Sequence, residues 1–282
     1  MAEITLTAGL WKAVIRPQTG GCLAGLSRGN LPILREMPAQ PDEVLGSACF
    51  PLVPYCNRIA DGNFAFGDRQ VRISPNMAPQ RHPLHGLGWK SAWPVTRQAA
   101  GSAVLEHAYE GGGEWPWSYL ARQHIVLDEE GCTIALQVEN RASDAAPLGL
   151  GLHPYFRRSA TTQVRFDADE MLGIDAEFLP DGTAHPADAF ADWSKGSALP
   201  EMLIDHCFTG WNGKAAIADD QGIITIQAWG APFLHVFSPP RSDDLCLEPV
   251  NHPPDALNRA SASVPSVPAG CAISVAMRIE AG

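Results

Sequence analysis

Cys132-Thr133-Ile134-Ala135-Leu136-Gln137-Val138-Glu139-Asn140 alternates along its length. Ile134, Leu136 and Val138 share one parity; Thr133, Ala135, Gln137 and Glu139 share the other. Successive side chains of a β-strand point to opposite faces, so this stretch reads as a strand with one apolar face. Asp128-Glu129-Glu130-Gly131 has turn composition, and 119–127 ahead of it reads as another strand.

The same pattern continues in both directions. Upstream, residues 3–7, 11–16, 22–26, 32–34, 93–96 and 103–109 read as short strands, and 51–55 is extended because of its prolines. Residues 63–74 form the clearest hairpin: Phe64 and Phe66 alternate on one arm, Val71 and Ile73 on the other, and Gly67-Asp68 supplies the turn. Downstream, 164–166, 215–218, 223–229, 233–237, 245–247 and 273–279 follow suit, and 187–193 reads as one short helix. No segment carries a 3.6-residue apolar stripe over several turns. The 26 glycines and 24 prolines suit a turn-rich chain. The expectation is an all-β protein, a large antiparallel β-sandwich. Residues 260–268 are the nearest thing to a linker, but a single strand follows them, so 1–282 is expected to be one domain.

Composition narrows the function. A net charge of -11 argues against nucleic acid, whose binding rests on Lys and Arg neutralising phosphates, and against an anionic membrane surface. No run of 18 apolar residues is available to span a bilayer. Residues 1–5 lack a basic and an apolar region of the secretory kind. The seven cysteines are scattered with no C-x-x-C pair, which suits free thiols in the cytoplasm, and no Cys/His cluster has zinc-ligand spacing. No zinc site is expected.

The chemistry-bearing stretch is Gly151-Leu152-His153-Pro154-Tyr155-Phe156. Pro154 holds His153 in extended backbone, beside the apolar wall of Tyr155 and Phe156. Two further stretches stand out: Leu84-His85-Gly86 with Arg58 upstream, and Leu247-Glu248-Pro249-Val250-Asn251. Singly, each has a structural reading: a packed core histidine, a turn residue, a strand-end carboxylate, an ion-paired arginine.

Together with Asn57-Arg58-Ile59 and Asp205-His206-Cys207-Phe208, these stretches, in this order, resemble the aldose 1-epimerases, the galactose mutarotase family. The resemblance runs from about residue 50 to the end of the chain. It implies a β-sandwich with a sugar-binding cleft across one sheet and interconversion of aldose anomers without cofactor. By position it implies Glu248 as catalytic base, His153 as catalytic acid, His85 as a second active-site histidine, and Arg58 and Asp205 as holders of sugar hydroxyls. Leu87 and Glu114-Trp115-Pro116-Trp117 depart from what galactose mutarotases often carry, so the resemblance leaves open which aldose is the substrate. Trp89 and Trp117 are candidates to stack on a sugar face, and His206 and His252 neighbour matched residues. The expected partner is a monosaccharide, with the chain acting as monomer or homodimer.

The chemistry needs one acid and one base. Opening a hemiacetal removes the anomeric hydroxyl proton and protonates the ring oxygen. An ionised carboxylate (ordinary pKa about 4.3) can do the first, and an imidazolium (about 6.5) the second. On this reading the nearby carboxylates outweigh burial and hold His153 protonated. Three other classes stay open. A hexose 6-phosphate epimerase would need a basic rim, for which Arg69, Arg72, Arg81 and Arg97 are available. A non-catalytic carbohydrate-binding protein could dispense with Glu248 or His153. A lyase or glycosidase on a related sandwich remains, although a glycosidase usually needs two flanking carboxylates.

Overall fold

The computed structural model describes residues 3–39, 43–259 and 264–282. The alternating stretch forms the strand Gly131–Asn140, with its apolar parity buried and its polar parity half-exposed. It pairs antiparallel with Tyr119–Leu127 on one side and Ala272–Ala281 on the other, setting Ile134 level with Ile125 and Met277. Period-two alternation thus becomes one continuous apolar face. Among the described residues, this sheet has nine strands in the order Ser197–Ala198, Gln163–Phe166, Lys214–Asp219, Gly222–Trp229, Ala272–Ala281, Gly131–Asn140, Tyr119–Leu127, Ser102–Tyr109, Val95–Ala99.

A second antiparallel sheet of 11 strands, again among the described residues, packs against it. Its order is Ile4–Ala8, Trp11–Arg16, Cys22–Arg28, Leu31–Leu34, Gly151–Phe156, Leu245–Val250, Phe233–Ser238, Ile204–Thr209, Glu170–Ile174, Pro180–Pro186. Cys49–Leu52 pairs with both Gly151–Phe156 and Cys22–Arg28. The core between the sheets takes Leu6, Ile15, Leu26, Leu152, Val236 and Leu247 from one and Leu105, Ile125, Leu136, Val275 and Ile279 from the other. Gln123 lies fully buried on this face; its Nε2 donates to the Gly21 carbonyl at 2.7 Å, while its Oε1 has no hydrogen-bond partner. The fold is the all-β antiparallel sandwich expected.

The hairpin at 63–74 forms as Asn63–Phe66 and Arg69–Arg72. Three expectations need correction. Residues 187–193 form turns, and one 3-10 turn follows at Trp193–Lys195. Trp193 is the one fully buried side chain of 187–193, so a helix there would have no apolar face to pack. The strand expected at 93–96 runs instead over Val95–Ala99, leaving Trp93 buried in the core. Glu170–Ile174 and Pro180–Pro186 were not anticipated: they end the sheet, and nearly every residue of the latter is exposed, so no apolar alternation marks it. Part of the 260–268 loop lies outside the described residues, and Ser266–Val267 pairs with Ala146–Pro147. The cysteines are free thiols, Cys271 exposed and the other six buried. No helix among the described residues is long and apolar enough to cross a membrane.

Candidate active site

Four adjacent strands of the larger sheet build the site: Gly151–Phe156, Leu245–Val250, Phe233–Ser238 and Ile204–Thr209. Their registers set Tyr155 opposite Cys246, His235 opposite Glu248, and Asp205 opposite Phe237. Opposed residues share a face, and so do residues two apart. The outer face therefore carries His153 and Tyr155, then Cys246 and Glu248, then His235 and Phe237, then Asp205 and Cys207. The other parity, Leu152, Leu247, Val236 and Phe208, enters the core.

Two loops complete the site by holding each other. Asn57 and His85 both adopt left-handed backbone, φ 55° and 60°. His85 N donates to Asn57 O at 2.9 Å, and Asn57 N donates to His85 Nδ1 at 3.1 Å. The second bond makes Nδ1 an acceptor, so neutral His85 carries its proton on Nε2 and has that donor to offer a ligand. Gly86 permits the approach: with φ 73°, a Cβ there would lie 2.2 Å from the Val53 carbonyl oxygen.

His153 Nε2 lies 3.3 Å from Glu248 Oε1, and both side chains are buried. The imidazole is sandwiched between Phe50 (4.5 Å between ring centroids) and Tyr155 (4.7 Å). Phe156, expected beside it, faces the core instead. Arg35 braces the wall, stacking 3.4 Å from the Tyr155 centroid while Asp244 binds its guanidinium at 2.6 Å. Burial pushes His153 down to about 3, helped by the positive field of His235 and Arg35, so the expectation that carboxylates hold it protonated is overturned. Burial also raises Glu248 to about 8, although His235 pulls the other way. At neutral pH the resting pair keeps its exchangeable proton on Glu248.

The second charged unit is Asp205 with Arg58 and His235. His235 Nε2 donates to Asp205 Oδ1 at 2.7 Å, and Arg58 Nη1 and Nη2 each lie 3.5 Å from Asp205 Oδ2. Burial alone would lower His235, but the hydrogen bond to Asp205 and the charges of Glu248 and Asp205 outweigh it and push it up to about 10. Burial would likewise raise Asp205, yet His235 and Arg58 hold its carboxyl below the usual range. His85 is driven well below the ordinary imidazole value by burial and by neighbouring His153 and Arg58.

All five residues singled out from the sequence, Arg58, His85, His153, Asp205 and Glu248, line one pocket of about 200 Å³. Leu45, Met77 and Gln80 form part of its rim. It is smaller than the ~300–1,000 Å³ usual for drug-sized ligands, and suits a single sugar ring. Larger hollows exist, about 270 Å³ beside Trp193 and about 380 Å³ beside Arg259, but neither lining includes a histidine near a carboxylate.

His235 is the member that motif reading missed. It sits in an apolar run with no marker beside it, and its partner Asp205 is 30 residues away. The other candidates drop out. His206 points to the opposite face, where its ring meets Phe190 edge-on. His252 is a structural tether, accepting from Cys56 N at 3.0 Å and donating to Pro253 O at 2.8 Å. Trp89 is buried behind Phe50, donating to the Leu84 and Gly86 carbonyls, and Trp117 is buried with Phe64 and Trp115. The aromatic side chains that reach the pocket are Tyr155 and Phe237. Donor atoms of His153, Cys246 and Glu248 lie within 4.8 Å of one another, a grouping that linear spacing could not reveal.

A family model described as Aldose 1-epimerase matches residues 3–279. The chain is 31% identical over 270 residues to the uncharacterized protein YphB of Escherichia coli K12, covering 92% of this chain and 91% of that one. It is 24% identical over 176 residues to the galactose mutarotase of Mus musculus, covering 58% of this chain and 50% of the mouse protein. The crystal structure of a candidate aldose 1-epimerase from Escherichia coli K12 superposes with a TM-score of 0.91 at 27% identity, covering 100% of this chain and 99% of that one.

Proposed function

This chain belongs to the aldose 1-epimerase family, and from that premise we propose that it interconverts the α and β anomers of a free, unphosphorylated aldose by acid–base ring opening and closure. The observation that carries the reading is the buried His153–Glu248 pair, 3.3 Å apart and facing a pocket sized for one sugar ring.

Each half-reaction conserves protons. With Glu248 ionised and His153 protonated, Glu248 takes the anomeric hydroxyl proton as His153 protonates the ring oxygen, and the ring bond breaks. The pair is then neutral carboxyl and neutral imidazole. After rotation about the C1–C2 bond, the carboxyl returns its proton to the carbonyl oxygen, the imidazole removes the one on the former ring oxygen, and the ring closes on the other face. Both states hold one exchangeable proton, the number that the resting site carries near neutrality. Burial favours the neutral distribution, and an arriving sugar supplies hydroxyls that support the ionised one. Positioned proton transfers of this kind contribute roughly 10²–10⁴-fold each. His85, through Nε2–H, and Arg58 and Asp205 serve the remaining hydroxyls.

The alternatives are less well supported. Arg69 is bridged to Asp144 at 2.8 Å, and Arg81 to Asp61 at 2.7 Å and Glu177 at 2.9 Å. None of Arg69, Arg72, Arg81 and Arg97 lines the pocket, and the two cations that do, Arg58 and His235, are both engaged by Asp205, which leaves no unpaired counter-charge among the described lining residues for a phosphorylated hexose. The second carboxylate that a glycosidase would use as nucleophile or base, Asp205, is already engaged by His235 at 2.7 Å and by Arg58 at 3.5 Å, which ties up both of its oxygens. A non-catalytic binding protein would have no need of the pair. Polarimetry on a panel of pure α-aldoses tests the proposal: at least one should equilibrate faster with the protein than without, and no acceleration across hexoses and pentoses would leave a sugar-binding protein.

A further inference from the structure

One buried ionic unit in the pocket is not used by the proton shuttle. Asp205 and His235 are both buried, their 2.7 Å contact is shorter than a usual neutral hydrogen bond, and they sit on adjacent strands. A buried ion pair is seldom a gain in stability over apolar packing, so its presence invites a functional account. The register supplies one. His235 is directly opposite Glu248 in the antiparallel ladder, which sets their Cβ atoms about 4.5–5.5 Å apart. Asp205 lies one strand further away, on the far side of His235. Glu248 therefore faces the cationic end of the pair, and the anionic end is turned from it.

The other groups around His235 can be placed in turn. Cys207, opposite it on the strand Ile204–Thr209, is a buried neutral thiol whose pKa burial raises. His235 Nδ1 has no nitrogen or oxygen partner. Asn57 Nδ2 approaches Nε2 at 3.4 Å. Arg58 is committed to Asp205 and to Asn57 Oδ1. His85 and His153 are both neutral at physiological pH. Apart from Arg58, whose charge Asp205 shares, the fixed cation beside Glu248 is His235.

We propose that His235, pinned by Asp205, is a positioning residue for Glu248. It sets a positive charge beside the buried carboxylate and supports its ionised state, the state that accepts the anomeric proton. This rests on the epimerase reading for its purpose but not for its test. Without the cation, burial would hold Glu248 protonated through a wider pH range, and the carboxylate form would be harder to reach. Asp205 then has two tasks: it accepts hydrogen bonds from sugar hydroxyls, and it keeps the imidazolium charged inside the protein.

The experiment follows the titration of Glu248 in the resting protein by ¹³C-carboxyl NMR, with the resonance assigned by its absence in Glu248→Gln. His235→Gln keeps a hydrogen-bonding side chain of similar size and removes the charge. A unit charge about 5–6 Å away at an effective dielectric near 20 moves a titration by about two pH units. Glu248 should therefore titrate about 1–2 pH units higher in His235→Gln than in the wild type, and the alkaline limb of kcat/KM should move up with it. Asp205→Asn should act in the same direction but by less, because an unpaired buried His235 loses its proton while the loss of Asp205's own charge, which raises Glu248, works the other way. The double variant should add little to either single one, since both disable one unit. It also leaves no unpaired charge behind, so it supplies the measurement if His235→Gln does not fold. Glu248 titrating at the same pH in wild type and variants would overturn the proposal, as would ¹⁵N NMR showing His235 neutral at pH 7. A rise in KM with unmoved limbs would make His235 a sugar contact only. The NMR arms need no turnover, so a failure of the mutarotase reading would be seen separately in polarimetry.

Discussion

Raising the pH through about 8 should switch catalysis off, and the position of that edge reports the burial of the site. In the proposed mechanism, ring opening and closure each need the Glu248–His153 pair to hold one exchangeable proton. Above about 8 Glu248 gives that proton up, and the pair has no acid left. Below about 3 His153 takes a second proton, and the pair has no base left. The limbs belong to the coupled pair and not to one residue each. Were the two groups solvated, with ordinary values of about 4.3 and 6.5, the upper edge would fall near 6.5. The two cases separate clearly at pH 7.5. With the buried values about three quarters of the pair is competent, and with solvated values about a tenth. By pH 9 about a tenth of the buried pair remains competent, so kcat/KM should fall about eightfold from pH 7.5. The assay is polarimetry of the best aldose between pH 5 and 10, corrected at each pH for spontaneous mutarotation. An alkaline midpoint near 6.5 would refute the burial argument. A rate still climbing from pH 8 to 10 would remove the need for an acid altogether and recast His153 as a hydrogen-bonding group.

Further tests follow from the same geometry. Glu248→Gln and His153→Ala should each lower kcat/KM by at least ~10², the low end for a lost acid or base, and near-wild-type turnover in a folded variant would remove that residue from the mechanism. Because folding raises the Glu248 pKa, its contribution to stability is present at low pH and is lost as pH rises through about 8. Ionising it in place opposes folding by up to about 5 kcal/mol. Glu248→Gln should therefore raise Tm at pH 9 and leave it nearly unchanged at pH 5, as read by calorimetry; an equal shift at both would show that charge is not the cause. Dialysis against a chelator should leave the rate unchanged. Loss of activity restored by one divalent ion would mean that His153, Cys246 and Glu248 hold a metal in the working enzyme.

Local pattern alone determined much of this protein. Alternation at 132–140 defined a core strand and its buried face, because side chains point to alternate sides whatever the rest of the chain does. Prolines 154 and 249 marked His153 and Glu248 as residues on extended backbone, and both lie within strands of the site. The motif order identified five residues that meet in one pocket. Where alternation faded, as in the exposed strand Pro180–Pro186, the sequence carried no signal to read.

The tertiary structure alone decided how that pocket is charged. Proton affinity depends on what surrounds a group in space, and those neighbours are remote in the chain. Phe50 stacks on His153 from about a hundred residues upstream, and that burial makes the imidazole neutral where carboxylates were expected to charge it. His235 carries the charge instead, because strand pairing sets it between Asp205 and Glu248. Neither register nor burial is written in any single stretch, since each is a property of strands that meet only after the sheet has formed.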